Sequence, residues 1–134
     1  VLDMGSGSGV LSIVAALLGA RRVLGIDRAI GAVDVAQRNA ERNAVDEVTE
    51  FYQGSSVPND EQFDLVVANI LAPVLLDLCE PIVRSVEPGG TVILSGLRSD
   101  RKEDVINRYV AGGCHLAEDL VLEGWCGVVM TKQQ

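Results

Sequence analysis

The sequence is poor in several things, and each shortage excludes something. It has three cysteines, Cys79, Cys114 and Cys126, far apart and without a C-x-x-C pair. An odd, scattered set reads as free thiols in a reducing compartment rather than a disulfide framework. There is a single histidine, His115, and no Cys/His pair at ligand spacing, so no metal site is expected. The longest apolar run, residues 10 to 20, is too short to span a membrane and carries no basic leader or cleavage site, so neither a spanning helix nor a signal peptide is expected. Basic residues are outnumbered, 11 Lys and Arg against 19 Asp and Glu, for a net charge of -8. Duplex binding draws its affinity from basic faces on phosphates, so no direct nucleic-acid contact is expected. Aromatics make up only 4% of the 134 residues.

What remains is a chain rich in Ala, Val, Leu and Gly, 48% hydrophobic. Its length suffices for one domain burying about two thirds of its unfolded surface, and its palette suits buried parallel strands beneath helices. Strand and helix patterns alternate, as in a mostly parallel sheet. Strands are expected at 1–4, 22–26, 48–53, 63–68, 91–94, 116–122 and 125–131. Helices are expected at 10–18, with Ser8 as a candidate cap, and at 30–43, 73–86 and 100–111. Glu87-Pro88-Gly89-Gly90 reads as a turn, and Glu123-Gly124 as a hairpin.

The densest signal is Asp3-Met4-Gly5-Ser6-Gly7-Ser8-Gly9, between an apolar stub and an apolar helix. A strand, a glycine turn and a helix make a nucleotide-binding corner. A dinucleotide fingerprint starting at Gly5 would need glycine at position 10, where Val10 stands. An acid two residues before alternating glycines instead resembles motif I of Rossmann-like S-adenosylmethionine-dependent methyltransferases. The alternative is a tight turn without a ligand, at a high cost in chain entropy. On the cofactor reading, Gly5, Ser6, Gly7 and Gly9 let the ligand lie against backbone, and Asp3 holds the loop or accepts from the cofactor's amino group. The cofactor's carboxylate would meet the helix amides.

Asp27, with Arg28 beside it, ends the second strand. It either accepts from both ribose hydroxyls or caps the following helix. Gly54 and Ser55 end the third strand, where Ser55 is either a weak adenine acceptor or part of a plain turn. Asn69 ends the fourth strand. Its carbonyl can hold an amine N–H and orient the lone pair, or Asn is there for a turn. Trp125 reads as core rather than as a substrate-facing aromatic.

Three segments extend the resemblance: Val67-Ala68-Asn69-Ile70-Leu71-Ala72, Gly89-Gly90-Thr91-Val92-Ile93-Leu94-Ser95-Gly96-Leu97 and Glu123-Gly124-Trp125-Cys126. Together they resemble the catalytic domain of the ribosomal protein L-eleven methyltransferase family (PrmA-type), over essentially the whole chain. The resemblance implies an α/β fold, a Rossmann-like seven-stranded mostly parallel sheet in the order 3-2-1-4-5-7-6, with the last strand antiparallel and helices on both faces. It implies S-adenosylmethionine as cofactor, N-methylation of a protein substrate, possible partners being ribosomal proteins, and a cytoplasmic location. Gly5, Asp27 and Asn69 would contact the cofactor, and Asn69 would also be the catalytic residue beside the accepting amine. The family's substrate-recognition domain and its Gly-, His- and Thr-containing segment are not in these 134 residues. With motif I opening at residue 3, residues 1–134 are therefore expected to be a methyltransferase domain lacking upstream segments.

A lysine amine titrates near ~10.4 and must lose its proton before attack. No dedicated base is evident, and Asn69 cannot be one, so the proton is expected to pass to water. Other readings remain open: an NAD-dependent oxidoreductase, a non-catalytic domain that binds a cofactor or partner, and a methyltransferase acting on a small molecule or on nucleic acid, the last disfavoured by the acidic charge.

Overall fold

The computed structural model describes residues 1–57 and 60–134. The chain falls into two compact units, Val1–Val57 and Pro58–Gln134.

The first unit holds β1 (Leu2–Met4), α1 (Val10–Leu17), β2 (Val23–Asp27), α2 (Ile30–Arg42) and β3 (Thr49–Gln53). Its strands are parallel and lie in the order β3-β2-β1, with Leu2 opposite Leu24 and Gly25 opposite Phe51. Burial of Leu2, Val23, Leu24 and Ile26 explains the unbroken apolar strands. Helix α2 turns Val33, Ala36 and Ala40 inward, and these pack with Ile13, Val45 and Phe51 into one core.

The second unit holds β4 (Phe63–Asn69), α3 (Ala72–Asp77), α4 (Cys79–Ser85), β5 (Val86–Arg98), a 3-10 turn at Ser99–Arg101, α5 (Lys102–Ala111), β6 (Cys114–Leu122) and β7 (Trp125–Lys132). Its strand order is β4-β5-β7-β6, which with the first unit spells the expected 3-2-1-4-5-7-6. β4 and β5 run parallel, and β7 is antiparallel to both β5 and β6. Val66, Leu75, Ile82, Leu94, Tyr109 and Val128 are among its fully buried side chains. The Tyr109 hydroxyl donates to the Leu75 carbonyl at 2.9 Å. Cys79, Cys114 and Cys126 are buried free thiols.

Three local expectations change. The single helix expected over 73–86 is two, broken at Leu78. Pro81 is the cause: its ring clashes with the carbonyl of residue 77 in a continuous helix. The turn at Glu87–Gly90 lies inside β5 as a bulge, since pairing passes from Phe63–Val86 directly to Leu65–Thr91. Ser8 does not cap α1. The residue before that helix is Gly9, left-handed at φ 85°, and no side chain caps it. The Glu123-Gly124 hairpin is as expected, with both residues at positive φ, 51° and 81°. Among the described residues, no helix is long and apolar enough to cross a membrane, and no His/Cys/Asp/Glu group could hold a metal.

Candidate functional site

In the first unit, the candidate residues gather at the carboxyl ends of β1, β2 and β3. The Gly5 and Ser6 amides both donate to the Ile26 carbonyl, at 2.8 and 3.0 Å, which folds the loop across the end of β2. The Asp27 carboxylate then fastens it: Oδ2 accepts from the Gly7 amide at 2.9 Å, and Oδ1 from the Ala29 amide at 3.0 Å. Asp27 therefore joins the loop to the β2 end rather than capping α2, whose cap position is Ala29. The Gly54 amide donates to the Asp27 carbonyl at 2.8 Å, and Gln53 Nε2 to the Arg28 carbonyl at 3.2 Å, so the β3 end joins the cluster. Ser55 is exposed next to it.

The glycines have separate tasks. Gly5, Gly7 and Gly9 all have positive φ, at 78°, 54° and 85°. A Cβ on Gly7 would meet nothing within 4 Å, so this backbone faces open space. A Cβ on Gly9 would lie 3.0 Å from Ala36 Cβ and 3.3 Å from Phe51 Cζ, so Gly9 is set by packing. The same ring reaches Gly25, where a Cβ would lie 2.5 and 2.7 Å from Phe51 and 3.0 Å from Ser6 Cβ. Phe51 is thus the platform under the glycine loop. Sequence reasoning missed both Gly25 and Phe51; the one available signal was a glycine inside an apolar strand, which marks close backbone approach.

Asp3 is only 1% exposed. Its Oδ2 accepts the Ser12 hydroxyl at 2.6 Å, tying β1 to α1. Burial pushes its carboxyl above the usual range, the Ser12 hydrogen bonds oppose this, and the Asp27 charge adds to it. Asp3 Oδ1 and Ser6 Oγ are buried without a protein partner. An open glycine face, an uncapped helix N-terminus and these orphaned atoms make a cradle that fits a small polar ligand.

The second unit places Asn69 at the exposed end of β4. It lines a cavity of about 720 Å³ together with Ile70, Leu71, Ser95, Leu120 and Trp125, among others. Trp125 is not core: it is 47% exposed, and the Arg98 guanidinium lies 5.3 Å from its ring centroid. Leu120 and Leu122 are also largely exposed on β6. The cavity is a mostly apolar slot with Asn69, Ser95 and Glu123 as polar groups, the form of a site that takes an aliphatic chain ending in a hydrogen-bond donor.

The family model described as "Ribosomal protein L11 methyltransferase (PrmA)" matches residues 1–133. A ribosomal protein L11 methyltransferase of Exiguobacterium sp. is 41% identical over 133 residues, covering 98% of this chain and 43% of that protein. One from Heliobacterium modesticaldum is 42% identical over 134 residues, covering 98% and 42%. The chain thus spans less than half the length of these curated relatives. The crystal structure of a ribosomal protein L11 methylase from Lactobacillus delbrueckii subsp. bulgaricus superposes with a TM-score of 0.86 at 29% identity, covering 99% of this chain and 69% of that one. An RNA methyltransferase from Salinibacter ruber, solved with S-adenosyl-L-homocysteine, shares the fold with a TM-score of 0.78 at 24% identity, covering 99% and 80%.

Proposed function

Because this chain belongs to the ribosomal protein L11 methyltransferase (PrmA) family, we propose that it is the S-adenosylmethionine-dependent domain of a protein N-methyltransferase acting on amines of a ribosomal protein. The observation that carries the reading is the Gly7 backbone, open on its free face and fastened to the Asp27 carboxylate at 2.9 Å. A loop held this way presents backbone to a ligand and leaves the remaining carboxylate lone pairs for ribose hydroxyls.

Gly5, Ser6, Gly7, Gly9, Asp27, Arg28, Gly54 and Ser55 would form the cofactor cradle. The uncapped first turn of α1 favours the cofactor's carboxylate. Asp3, whose observed partner is Ser12, would support the loop from behind and offer its orphaned Oδ1 to the cofactor's amino group through water. When bound, S-adenosylmethionine supplies an electrophilic methyl on a sulfonium. Asn69 would act on the acceptor: its side-chain carbonyl takes an N–H of the neutral amine and turns the lone pair outward. A substrate seated against the apolar walls would shield its own amine from part of the solvent, which lowers its proton affinity before attack. Glu123 also lines the cavity, and the proton of the amine would leave to that carboxylate or to water. A ribosomal substrate also suggests a cytoplasmic location.

Calorimetry with S-adenosylmethionine and with NADH tests the cradle, and methyl incorporation into ribosomal protein L11 tests the acceptor. Heat with the first ligand only, plus incorporation, is expected. Heat with NADH alone would return the oxidoreductase reading, and cofactor binding without incorporation would leave a non-catalytic binding domain.

A further inference from the structure

The strand pairing of β5 is interrupted beside Asn69. Along β7, Leu94 faces Val128 and Leu97 faces Cys126, so Ser95 and Gly96 together oppose Gly127 alone. Two residues against one is a β-bulge, a device that re-aims side chains next to functional sites. On the other side of β5, Asn69 faces Ser95, and the Ile70 amide donates to the Ser95 carbonyl at 3.2 Å. The bulge is therefore clamped to the end of β4 that carries Asn69.

Gly96 has a φ of 77°, in the left-handed region. A Cβ there would collide with Asn69 Oδ1, and would lie 3.0 Å from the Ile70 nitrogen and 3.1 Å from the Asn69 carbonyl carbon. The last two are backbone atoms held by the strand. The carboxamide oxygen is the free end of a side chain, so it yields first. The Asn69 carboxamide thus rests directly over Gly96, in a place that exists only because residue 96 has no side chain.

We propose that Gly96 is a positioning residue: its bulge fixes the orientation of the Asn69 carboxamide, through which it controls turnover and not cofactor binding. The consequence for turnover rests on the proposed methyl transfer; the structural link between the two residues does not.

The test has one arm for each. In NMR spectra of the full chain, Gly96→Ala is expected to shift the Asn69 side-chain amide peaks, assigned by their loss in Asn69→Ala. Gly127→Ala should leave them in place, because a Cβ there would meet only the Leu94 carbonyl at 3.8 Å. In methyl-transfer assays, Gly96→Ala should lower kcat by on the order of 100-fold, the effect of misplacing a reacting group by about 1 Å. S-adenosylmethionine affinity should stay within about twofold. In an Asn69→Ala background, the same glycine change should lower kcat no further. An unmoved Asn69 amide, or an undiminished loss in that background, overturns the proposal. If Gly96→Ala alone fails to fold, the double variant should fold, since the nearest colliding atom is gone; failure of both shows that backbone strain dominates and refutes the link. A wild-type chain without methyl transfer would count against the functional reading alone, and the NMR arm would still decide the bulge.

Discussion

Replacing Gly25 by alanine tests how the cofactor cradle is supported. The new Cβ would lie 2.5 and 2.7 Å from two Phe51 ring carbons, against an ordinary carbon contact of about 3.5–4.0 Å. The ring would have to move by about 1 Å. It has nowhere to go freely, because it is 6% exposed and packed among Ile13, Val33, Ala36, Ala40 and Val45. Overpacking of this kind costs about 1–3 kcal/mol. At roughly 4 °C per kcal/mol for a chain of this size, Tm should fall by about 4–12 °C. In urea the midpoint should move down by about 1 M, at an m-value of about 1–3 kcal/mol/M that itself is unchanged. The added carbon also presses on Ser6, whose Cβ would lie 3.0 Å from it, so S-adenosylmethionine should bind more weakly. Phe51→Leu removes the clashing ring edge at its own cost in packing. The double variant should therefore be more stable than the two single losses predict, by about 0.5–3 kcal/mol of coupling. A Gly25→Ala protein within about 0.5 kcal/mol of wild type, or strict additivity with Phe51→Leu, would refute the platform.

The other predictions follow the same geometry. Asp27→Ala should weaken S-adenosylmethionine by roughly 10–100-fold in calorimetry, as about 1.5–3 kcal/mol for lost charged hydrogen bonds; unchanged affinity would remove Asp27 from the site. Asn69→Ala should mainly lower kcat, leaving cofactor affinity near wild type. Asp3 has a raised folded-state pKa, so the native protein holds its proton more tightly than the unfolded chain. Its contribution to stability is most favourable at pH below its unfolded value and is lost as pH rises through the folded one. Asp3→Asn should flatten that fall in chemical-denaturation curves taken across the acid range, and an unchanged slope would contradict the burial argument. Tyr109→Phe leaves the buried Leu75 carbonyl without its donor and should cost about 1–2 kcal/mol. Burial holds that hydroxyl far above the usual tyrosine range, so the loss should be the same at all pH values where the protein is folded.

Much of the fold was legible because its determinants are local. Runs such as Val23–Ile26 and Leu65–Ala68 are apolar at successive positions, which only a strand buried on both faces requires. Breaks were legible less often. The single helix expected over 73–86 took no account of Pro81, which divides it. The Glu87–Gly90 turn was seen as a turn, but its absorption into β5 depends on β4 pairing to either side of it. Trp125 was expected inside on hydrophobicity alone, whereas β7 exposes it beside Arg98.

The candidate site divides in the same way. Sequence alone determined the glycine spacing, the acids at 3 and 27 and Asn69 at a strand end, because backbone conformation and strand ends are written in adjacent residues. Only the tertiary structure decided what each residue faces. Asp3 and Asp27 are both acids near a glycine loop, but one is buried against Ser12 and the other fastens Gly7. Gly7 opens to space while Gly9 and Gly25 yield to one phenylalanine ring 26 residues beyond Gly25. Gly96 matters because strand register sets it beneath a side chain from β4. Register and ring placement are fixed by close packing between segments distant in sequence, and no local pattern encodes them.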